Sequence, residues 1–207
     1  MAKSNSVTSN KQRLQLAQEA ARFIHEHGIE DFRLAKMKAA ERLNCGRSAQ
    51  LPSNREIEEA IAAHSRIFAG DKHERRISLL RETAVTVMQK LQQFSPFLVG
   101  EVLSGHVTDH SSIRLHVFSD APERVTEELE RKAISYNSIT SRQRMRRGQL
   151  TEWPGIQLYE NDMLVVITIF PERMKAHAPL CTITGRPMQR AQLAAVSSMA
   201  GDKSTRD

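Results

Sequence analysis

The sequence has few aromatic residues, since seven Phe, two Tyr and one Trp make up only 5% of its 207 residues. The sequence therefore has few side chains on which successive nucleic-acid bases could stack, and this disfavours that mode of binding. Cysteine is scarce as well: Cys45 and Cys181 are the only two, and they form no CxxC pair. This excludes a disulfide framework and favours two reduced, buried thiols.

Long apolar runs are also missing. The most apolar stretch is the eight residues Met163–Phe170, far short of the roughly 20 needed to cross a bilayer. The first twelve residues, MAKSNSVTSNKQ, contain no apolar segment of the kind that secretory signals carry. We therefore expect a cytoplasmic protein with no membrane partner, and the 40% hydrophobic content suffices for a real core.

The charge is mildly basic, with 30 Lys and Arg against 24 Asp and Glu, a formal net charge of +6. This allows an anionic partner without requiring one. No acidic residue occurs from Arg131 to Thr151, and this segment holds Arg131, Lys132, Arg142, Arg144, Arg146 and Arg147. The four arginines at its end are the best candidates to bind phosphates of RNA, DNA or a nucleotide. The alternative is a solvated strand end, because charge runs commonly serve solubility alone.

Apolar side chains at three- and four-residue spacing predict helices over Lys11–His27, Arg33–Leu43 and Asp71–Phe94. Between the second and the last of these, Ser53 and Glu56 have the spacing of a capping box and predict the start of another helix. The first part of the chain is therefore expected to be helical.

The hydrophobic period changes after Pro96. Strands are predicted over Phe97–Leu103 and Ser112–Phe118, and a helix over Glu123–Ala133. Further strands, separated by an Arg-rich loop and a hairpin turn, are predicted over Ile134–Thr140, Ile156–Tyr159 and Met163–Phe170. The last is apolar on both faces, which predicts a central position in the sheet. This order of elements predicts the α+β class, with N-terminal helices followed by a mixed sheet with packed helices.

The stretch LVGEVLSGHVTDHSSIRLHV, from Leu98 to Val117, combines two glycines with an alternating strand. Gly100 and Gly105 follow a strand, and Ile113, Leu115 and Val117 are the apolar residues of the next. The stretch resembles the signature of the nucleotidyltransferase superfamily with the polymerase-β-like palm. The resemblance implies that glycine backbone approaches a triphosphate, and that two carboxylates one residue apart on the second strand hold divalent metal.

This sequence departs from the family pattern at the chemical positions. Glu101 stands at the serine position, and Ser112 and Arg114 stand at the two carboxylate positions. A guanidinium puts a positive charge where Mg²⁺ would sit, so ordinary two-metal catalysis is not expected. The resemblance implies a catalytically degenerate member with no expected cofactor. Such a protein either binds a phosphate-bearing ligand, a nucleotide or nucleic acid, through Arg114, Gly100 and Gly105, or regulates a partner. The alternative is an ion pair between Arg114 and Glu101 on an inherited scaffold.

The whole chain, including APLCTITGRPM from Ala178 to Met188, is similar to a group of uncharacterised bacterial proteins. We expect residues 1–10 to be disordered, 11–70 to be helical, 71–196 to form the nucleotidyltransferase-like α+β domain and 197–207 to be a disordered tail.

Two further hypotheses concern metal. An active, Mg-dependent nucleotidyltransferase would need ligands from other positions, such as Asp109, Asp120 or Glu160. His106, Asp109 and His110 lie together in one loop and are weak candidates for a metal cluster, for which exposed turn residues are the simpler interpretation.

The N-terminal segment suggests a function of another class. Leu14–Gly28 resembles the opening helix of tetracycline-repressor-type regulators, and Leu34–Ile61 can be interpreted as a helix-turn-helix. The linker Asn44–Ser53 is longer than the usual turn, and three glutamates of the second helix would face phosphate. A helical cap that buries its apolar stripe is the alternative interpretation.

Overall fold

The computed structural model describes residues 2–29, 31–46, 50–68, 70–145 and 149–201. The chain forms two compact units. The first consists of residues 1–73, 106–111 and 182–184, and the second of residues 74–105, 112–181 and 185–207. The described residues form N-terminal helices followed by a six-stranded mixed sheet with packed helices, which confirms the predicted α+β class.

The first unit contains three helices, α1 (Ala2–His27), α2 (Phe32–Arg42) and α3 (Asn54–Phe68), and the beginning of α4 (Gly70–Lys90). α1 begins at Ala2 rather than at Lys11, so the segment expected to be disordered is helical from Ala2 onward. The core of this unit consists mainly of small and branched apolar side chains from the first three helices: Leu16, Ala17, Ala20, Ala21, Ala35, Ala39, Ile57 and Ile61. Alanines at these positions let the helices approach closely.

The capping box at the start of α3 is confirmed. The Ser53 backbone N–H donates to the Glu56 carboxylate at 2.7 Å, and the Glu56 N–H donates to the Ser53 hydroxyl at 3.2 Å. Arg13 of α1 also donates to Glu56, at 2.8 Å. The bond from Arg13, followed by those from Ser53, lowers the pKa of Glu56 to about 2. The Glu56 carboxylate thus both caps the start of α3 and binds Arg13 of α1.

The second unit is built on a sheet with strand order β3-β4-β5-β2-β1-β6. β2 and β5 are parallel, and the other neighbouring pairs are antiparallel. The strands are β1 (Phe97–Val99), β2 (Ile113–Phe118), β3 (Tyr136–Arg144), β4 (Leu150–Glu160), β5 (Met163–Phe170) and β6 (Ala191–Gln192). The prediction that Met163–Phe170 is a central strand is confirmed.

One face of this sheet, here called the core face, is buried along the central strands β2 and β5. Ile113, Leu115 and Val117 of β2 point to it and are buried. Helix α4 is tied to this face by the ion pair of Lys90 with Glu160, 2.7 Å. Helix α6 (Glu123–Arg131) is tied to it by the hydrogen bond that Tyr136 donates to Glu130, 2.8 Å.

The opposite face, here called the outer face, carries the alternate residues of each strand. On β2 these are Arg114, His116 and Phe118, and Ser112 precedes them in the same alternation. This is the face on which the family resemblance places its chemistry. Although His116 is polar, its side chain on this face is buried.

Several predicted boundaries are wrong. The strand predicted over Phe97–Leu103 ends at Val99 and is followed by the short helix α5 (Glu101–Ser104). The Arg-rich segment was predicted as a loop, but Arg142 and Arg144 belong to β3. The predicted tail begins inside helix α7 (Leu193–Gly201), and residues 202–207 lie outside the described residues. None of the described helices is long and apolar enough to cross a membrane.

Candidate functional site

The chain turns sharply at Gly100, where β1 ends. Gly100 has φ +74° and ψ −147°, a conformation essentially restricted to glycine. An ideal Cβ at this position would lie 3.5 Å from Cδ of Arg114, so the side-chain stem of Arg114 packs over the bare glycine backbone. Two residues of the predicted site are therefore in direct contact.

Arg114 is placed by strand pairing. It lies directly opposite Val99 in β1 and Val166 in β5, and its side chain is half-buried. Ser112, two residues earlier, is only 3% exposed, and its hydroxyl has no hydrogen-bond partner among the described residues. A buried hydroxyl without a partner costs free energy, about 1–3 kcal/mol in protein variants. The strand thus presents a guanidinium and an unsatisfied hydroxyl at the start of its outer face.

The segment that follows Gly100 is held from below by Arg81 of α4. Its guanidinium donates to the carbonyls of Val102 and Leu103 at 3.2 and 3.3 Å. Burial lowers the pKa of Arg81 from its usual value. Gly105 closes α5 with φ +82° and donates its N–H to the Glu101 carbonyl at 2.8 Å. Glu101, the first residue of α5, directly follows Gly100.

The donors at the predicted metal positions do not fit a divalent cation. Mg²⁺ takes carboxylate, carbonyl and water oxygens. Ser112 offers one neutral hydroxyl, and Arg114 offers only N–H donors with a positive charge. The chemistry of these two side chains suits an anion.

The arginine run lies elsewhere on the sheet. Arg142 and Arg144 are exposed on β3, an edge strand, and Arg142 forms an ion pair of 2.8 Å with Glu152 of β4. Arg146 and Arg147 lie outside the described residues. An exposed ion pair of this kind contributes little stability, so Arg142 remains able to exchange its partner for a phosphate.

Strand register separates this run from Arg114. Pairing aligns Arg114 with Val166, Gln157 and Asn137 in one row across four strands. Arg142 lies five residues after Asn137, which is the β3 residue of that row. At about 4.8 Å per strand and 3.4 Å per residue, the backbones of Arg114 and Arg142 are about 20 Å apart. Their side chains also point to opposite faces, so the two predicted phosphate contacts do not form one site.

The weak metal candidates belong to the first unit. The His106 ring lies 3.2 Å from the Glu58 carboxylate through Nδ1. The His110 ring packs against Gly28, where an added Cβ would lie 2.9 Å from its Cγ. Within the described ranges, no group of three or more His, Cys, Asp or Glu side chains is arranged to hold a metal ion.

Two alternative metal ligands have other contacts. Glu160 accepts from Lys90 through both carboxylate oxygens at 2.7 Å. Asp120 accepts from the Glu172 N–H at 3.1 Å, at the opposite end of β2 from Arg114. Six residues of strand, about 20 Å, separate the Arg114 end from the Asp120 end.

The helix-turn-helix hypothesis concerns α2 and α3. Residues 43–53 separate the end of α2 from the start of α3. Of the acidic residues of α3, Glu56 accepts from Arg13 and Ser53, and Glu59 accepts from Arg55 at 2.9 Å. Both carboxylates therefore accept hydrogen bonds from residues of the first unit.

Sequence reasoning missed a half-buried cation on the outer face. Arg190 lies over three phenylalanine rings, at 5.9 Å from Phe97, 5.3 Å from Phe118 and 5.8 Å from Phe170. Its Nε donates to Nδ1 of His116 at 3.3 Å. Burial, followed by the charge of Arg190, lowers the pKa of His116 to about 3. The only signal in the sequence is that His116 lies between apolar strand residues.

Comparison of the chain with known proteins finds no family model, no curated protein and no solved structure that it matches.

Proposed function

We propose that the second unit is a nucleotidyltransferase-like module that has lost its metal chemistry and binds a phosphate-bearing ligand, in the cytoplasm, at the start of β2. The observation that carries this proposal is the contact of Arg114 with Gly100, beside the buried and unpartnered hydroxyl of Ser112. The glycine at this turn brings the Arg114 side chain and the backbone together at the start of β2, where both can donate to one anion.

The chemistry of these groups favours phosphate over other ligands. The Arg114 guanidinium is planar, permanently charged and able to donate two parallel hydrogen bonds to one phosphate. The Ser112 hydroxyl can donate a third, which would satisfy a group that is otherwise left without a partner. Metal ions are not needed for this binding, because the cation is already part of the strand.

The first prediction concerns Arg114→Gln, tested by calorimetry with ATP in the presence of EDTA. We expect the affinity for ATP to fall about 10- to 100-fold, since a hydrogen bond to a charged group contributes about 1.5–3 kcal/mol. Arg55→Gln is the matched control, because Arg55 is an exposed arginine of α3. Unchanged affinity in Arg114→Gln would contradict the assignment. ATP binding that requires Mg²⁺ would favour the metal-dependent transferase instead.

The second prediction tests the relation to the palm directly. In the double variant Ser112→Asp, Arg114→Asp, two carboxylates one residue apart return to the strand. The variant should be less stable than the parent without metal, because Ser112 is 3% exposed and a carboxylate there is poorly solvated. Mn²⁺ should then raise its melting temperature by several degrees, since a ligand at 100 times its Kd adds about 2.7 kcal/mol.

The control for this gain of function is the uncharged pair Ser112→Asn, Arg114→Asn. We expect Mn²⁺ to leave the melting temperature of this control and of the parent unchanged. If the Asp pair shows no shift with Mn²⁺ either, the strand does not have the geometry of a palm, and the resemblance fails.

A further inference from the structure

A cavity lies near the β3 edge of the sheet, where β3 begins and β4 ends. Its volume is about 440 Å³, within the range of small-molecule sites. Residues 133–137 and 157–160 line it, and both tyrosines of the chain, Tyr136 and Tyr159, are among them. Ala133 forms part of the wall with φ +55°, a strained conformation for a residue with a Cβ.

Three polar side chains of this cavity have unused hydrogen-bonding capacity. Asn137 and Gln157 are directly paired on β3 and β4, so their carboxamides stand side by side. Tyr159 follows on the same face of β4 and is 65% exposed. Within the part of the chain that the structure describes, these three side chains make no hydrogen bond to another residue. The cavity therefore presents an aromatic ring beside two adjacent amides.

The other polar groups of the cavity are already engaged. Tyr136 donates to Glu130 at 2.8 Å, which raises the pKa of Tyr136. Lys90 neutralises Glu160 at 2.7 Å. Because the Glu160 carboxylate is compensated, it does not repel a ligand that carries phosphate.

The combination of an exposed ring and paired carboxamides indicates the class of ligand. Nucleobases stack on aromatic side chains, and Asn and Gln form paired hydrogen bonds with the donor and acceptor atoms of a base edge. Arg131 and Lys132 immediately precede Ala133 in the chain, and the acid-free segment continues to Thr151. Both side chains are ion-paired with Glu128, at 2.7 and 3.3 Å, so the two cations and this carboxylate together carry one net positive charge.

We propose that this cavity binds a nucleobase, stacked on Tyr159 and held at its edge by Asn137 and Gln157. The base belongs either to a free nucleotide or to one unit of a single strand, since both present the same ring and edge. This site goes beyond the phosphate site at Arg114, from which Gln157 is separated by two strand spacings, about 10 Å. Different variants therefore test the two sites.

The experiment is a titration of the full chain with adenosine, followed by calorimetry and by chemical shifts of the labelled protein. Adenosine carries the base without phosphate, so it reports on this cavity alone. We expect Tyr159→Ala to weaken adenosine binding about 10- to 100-fold, the range found for removal of one stacking platform. Tyr159→Phe should keep most of the affinity. Gln149 is an exposed glutamine outside the cavity and provides the control for the amides. Gln149→Ala should bind adenosine with the affinity of the parent, and Gln157→Ala should bind it more weakly.

The outcomes separate this proposal from the phosphate site. Arg114→Gln should weaken ATP binding and leave adenosine binding unchanged. Adenosine 5′-monophosphate and a tetra-adenylate strand distinguish the two sources of the base: equal affinity indicates a free nucleotide, and at least tenfold tighter binding of the strand indicates a nucleic acid. The proposal is overturned if adenosine does not bind at 10 mM, if methyl glucoside binds equally well, or if Tyr159→Ala binds adenosine as the parent does. ATP binding that depends on Arg114 can persist in each of these cases.

Discussion

Replacing Arg190 by alanine is expected to lower the free energy of unfolding by about 3 kcal/mol, the largest effect of any single substitution considered for this chain. The guanidinium donates to the carbonyls of Met174, Lys175 and His177 at 3.4, 3.1 and 3.4 Å, and to the His116 ring at 3.3 Å. It also packs on three rings of the outer face, those of Phe97, Phe118 and Phe170.

These contacts fasten the chain between β5 and β6 onto the sheet. Hydrogen bonds from a charged donor contribute about 1.5–3 kcal/mol each, and a cation over an aromatic ring contributes about 0.5–2 kcal/mol, without simple additivity. Alanine removes all of them at once and leaves three carbonyls and three rings without their partner. Burial lowers the pKa of Arg190 from its usual value.

Urea unfolding at pH 7.5 measures this effect. Arg173→Ala is the matched control, because Arg173 is an exposed arginine of the same segment. Arg190→Lys should fall between alanine and the parent, since lysine keeps the charge but lacks the planar fork. Ethylguanidinium at 10 mM should raise the melting temperature of Arg190→Ala alone, because it refills the space between the rings. Equal stability of Arg190→Ala and Arg173→Ala would show that the contacts do not hold the segment.

Local signals in the sequence predicted the parts of the fold that depend on neighbouring residues. The start of α3 follows from the Ser53 and Glu56 spacing, because a capping box is completed within four residues. The central place of β5 follows from the apolar run Met163–Phe170, because a strand covered on both faces cannot carry polar alternation.

Features that depend on distant residues were not predicted. The end of β1 at Val99 follows from the conformation of Gly100, whose neighbour in space is Arg114. The burial of His116 depends on Arg190, 74 positions away in the chain. Alternation along β2 places His116 on the outer face, but only tertiary contacts determine whether that face is covered.

The candidate site was predicted in part for the same reason. Gly100 and Arg114 come together because β1 and β2 are adjacent, antiparallel strands with Val99 opposite Arg114. The run that includes Arg142 was predicted to bind phosphate by its charge alone, and two intervening strands, β4 and β5, separate its strand β3 from the strand of Arg114, β2. The charge of the sequence indicates that the protein can bind an anion. The order of the strands determines which arginines lie close enough to bind the same anion.

Acid is expected to destabilise the second unit through His116. Burial and the nearby charge of Arg190 lower the pKa of His116 in the folded chain from 6.5 to about 3. The unfolded chain therefore takes up a proton below about pH 6.5, while the folded chain does not until about pH 3. The stability contributed by the neutral ring is complete above pH 6.5 and is lost as the pH falls from 6.5 toward 3, by up to about 1.4 kcal/mol per pH unit.

Between pH 7.5 and pH 5, this linkage predicts a loss of about 2 kcal/mol in the free energy of unfolding. That window lies above the range in which the carboxylates of Glu56 and Glu128, each with a pKa lowered to about 2, exchange protons on unfolding. His116→Gln removes the titrating ring and keeps an oxygen that can accept from Arg190. Urea unfolding at pH 7.5, 6.5, 5.5 and 5 should give the variant a shallower dependence on pH than the parent, although the variant starts from lower stability at pH 7.5. If both proteins lose stability at the same rate in this range, another group takes up the proton, and the burial of a neutral His116 against Arg190 is not the cause of acid sensitivity.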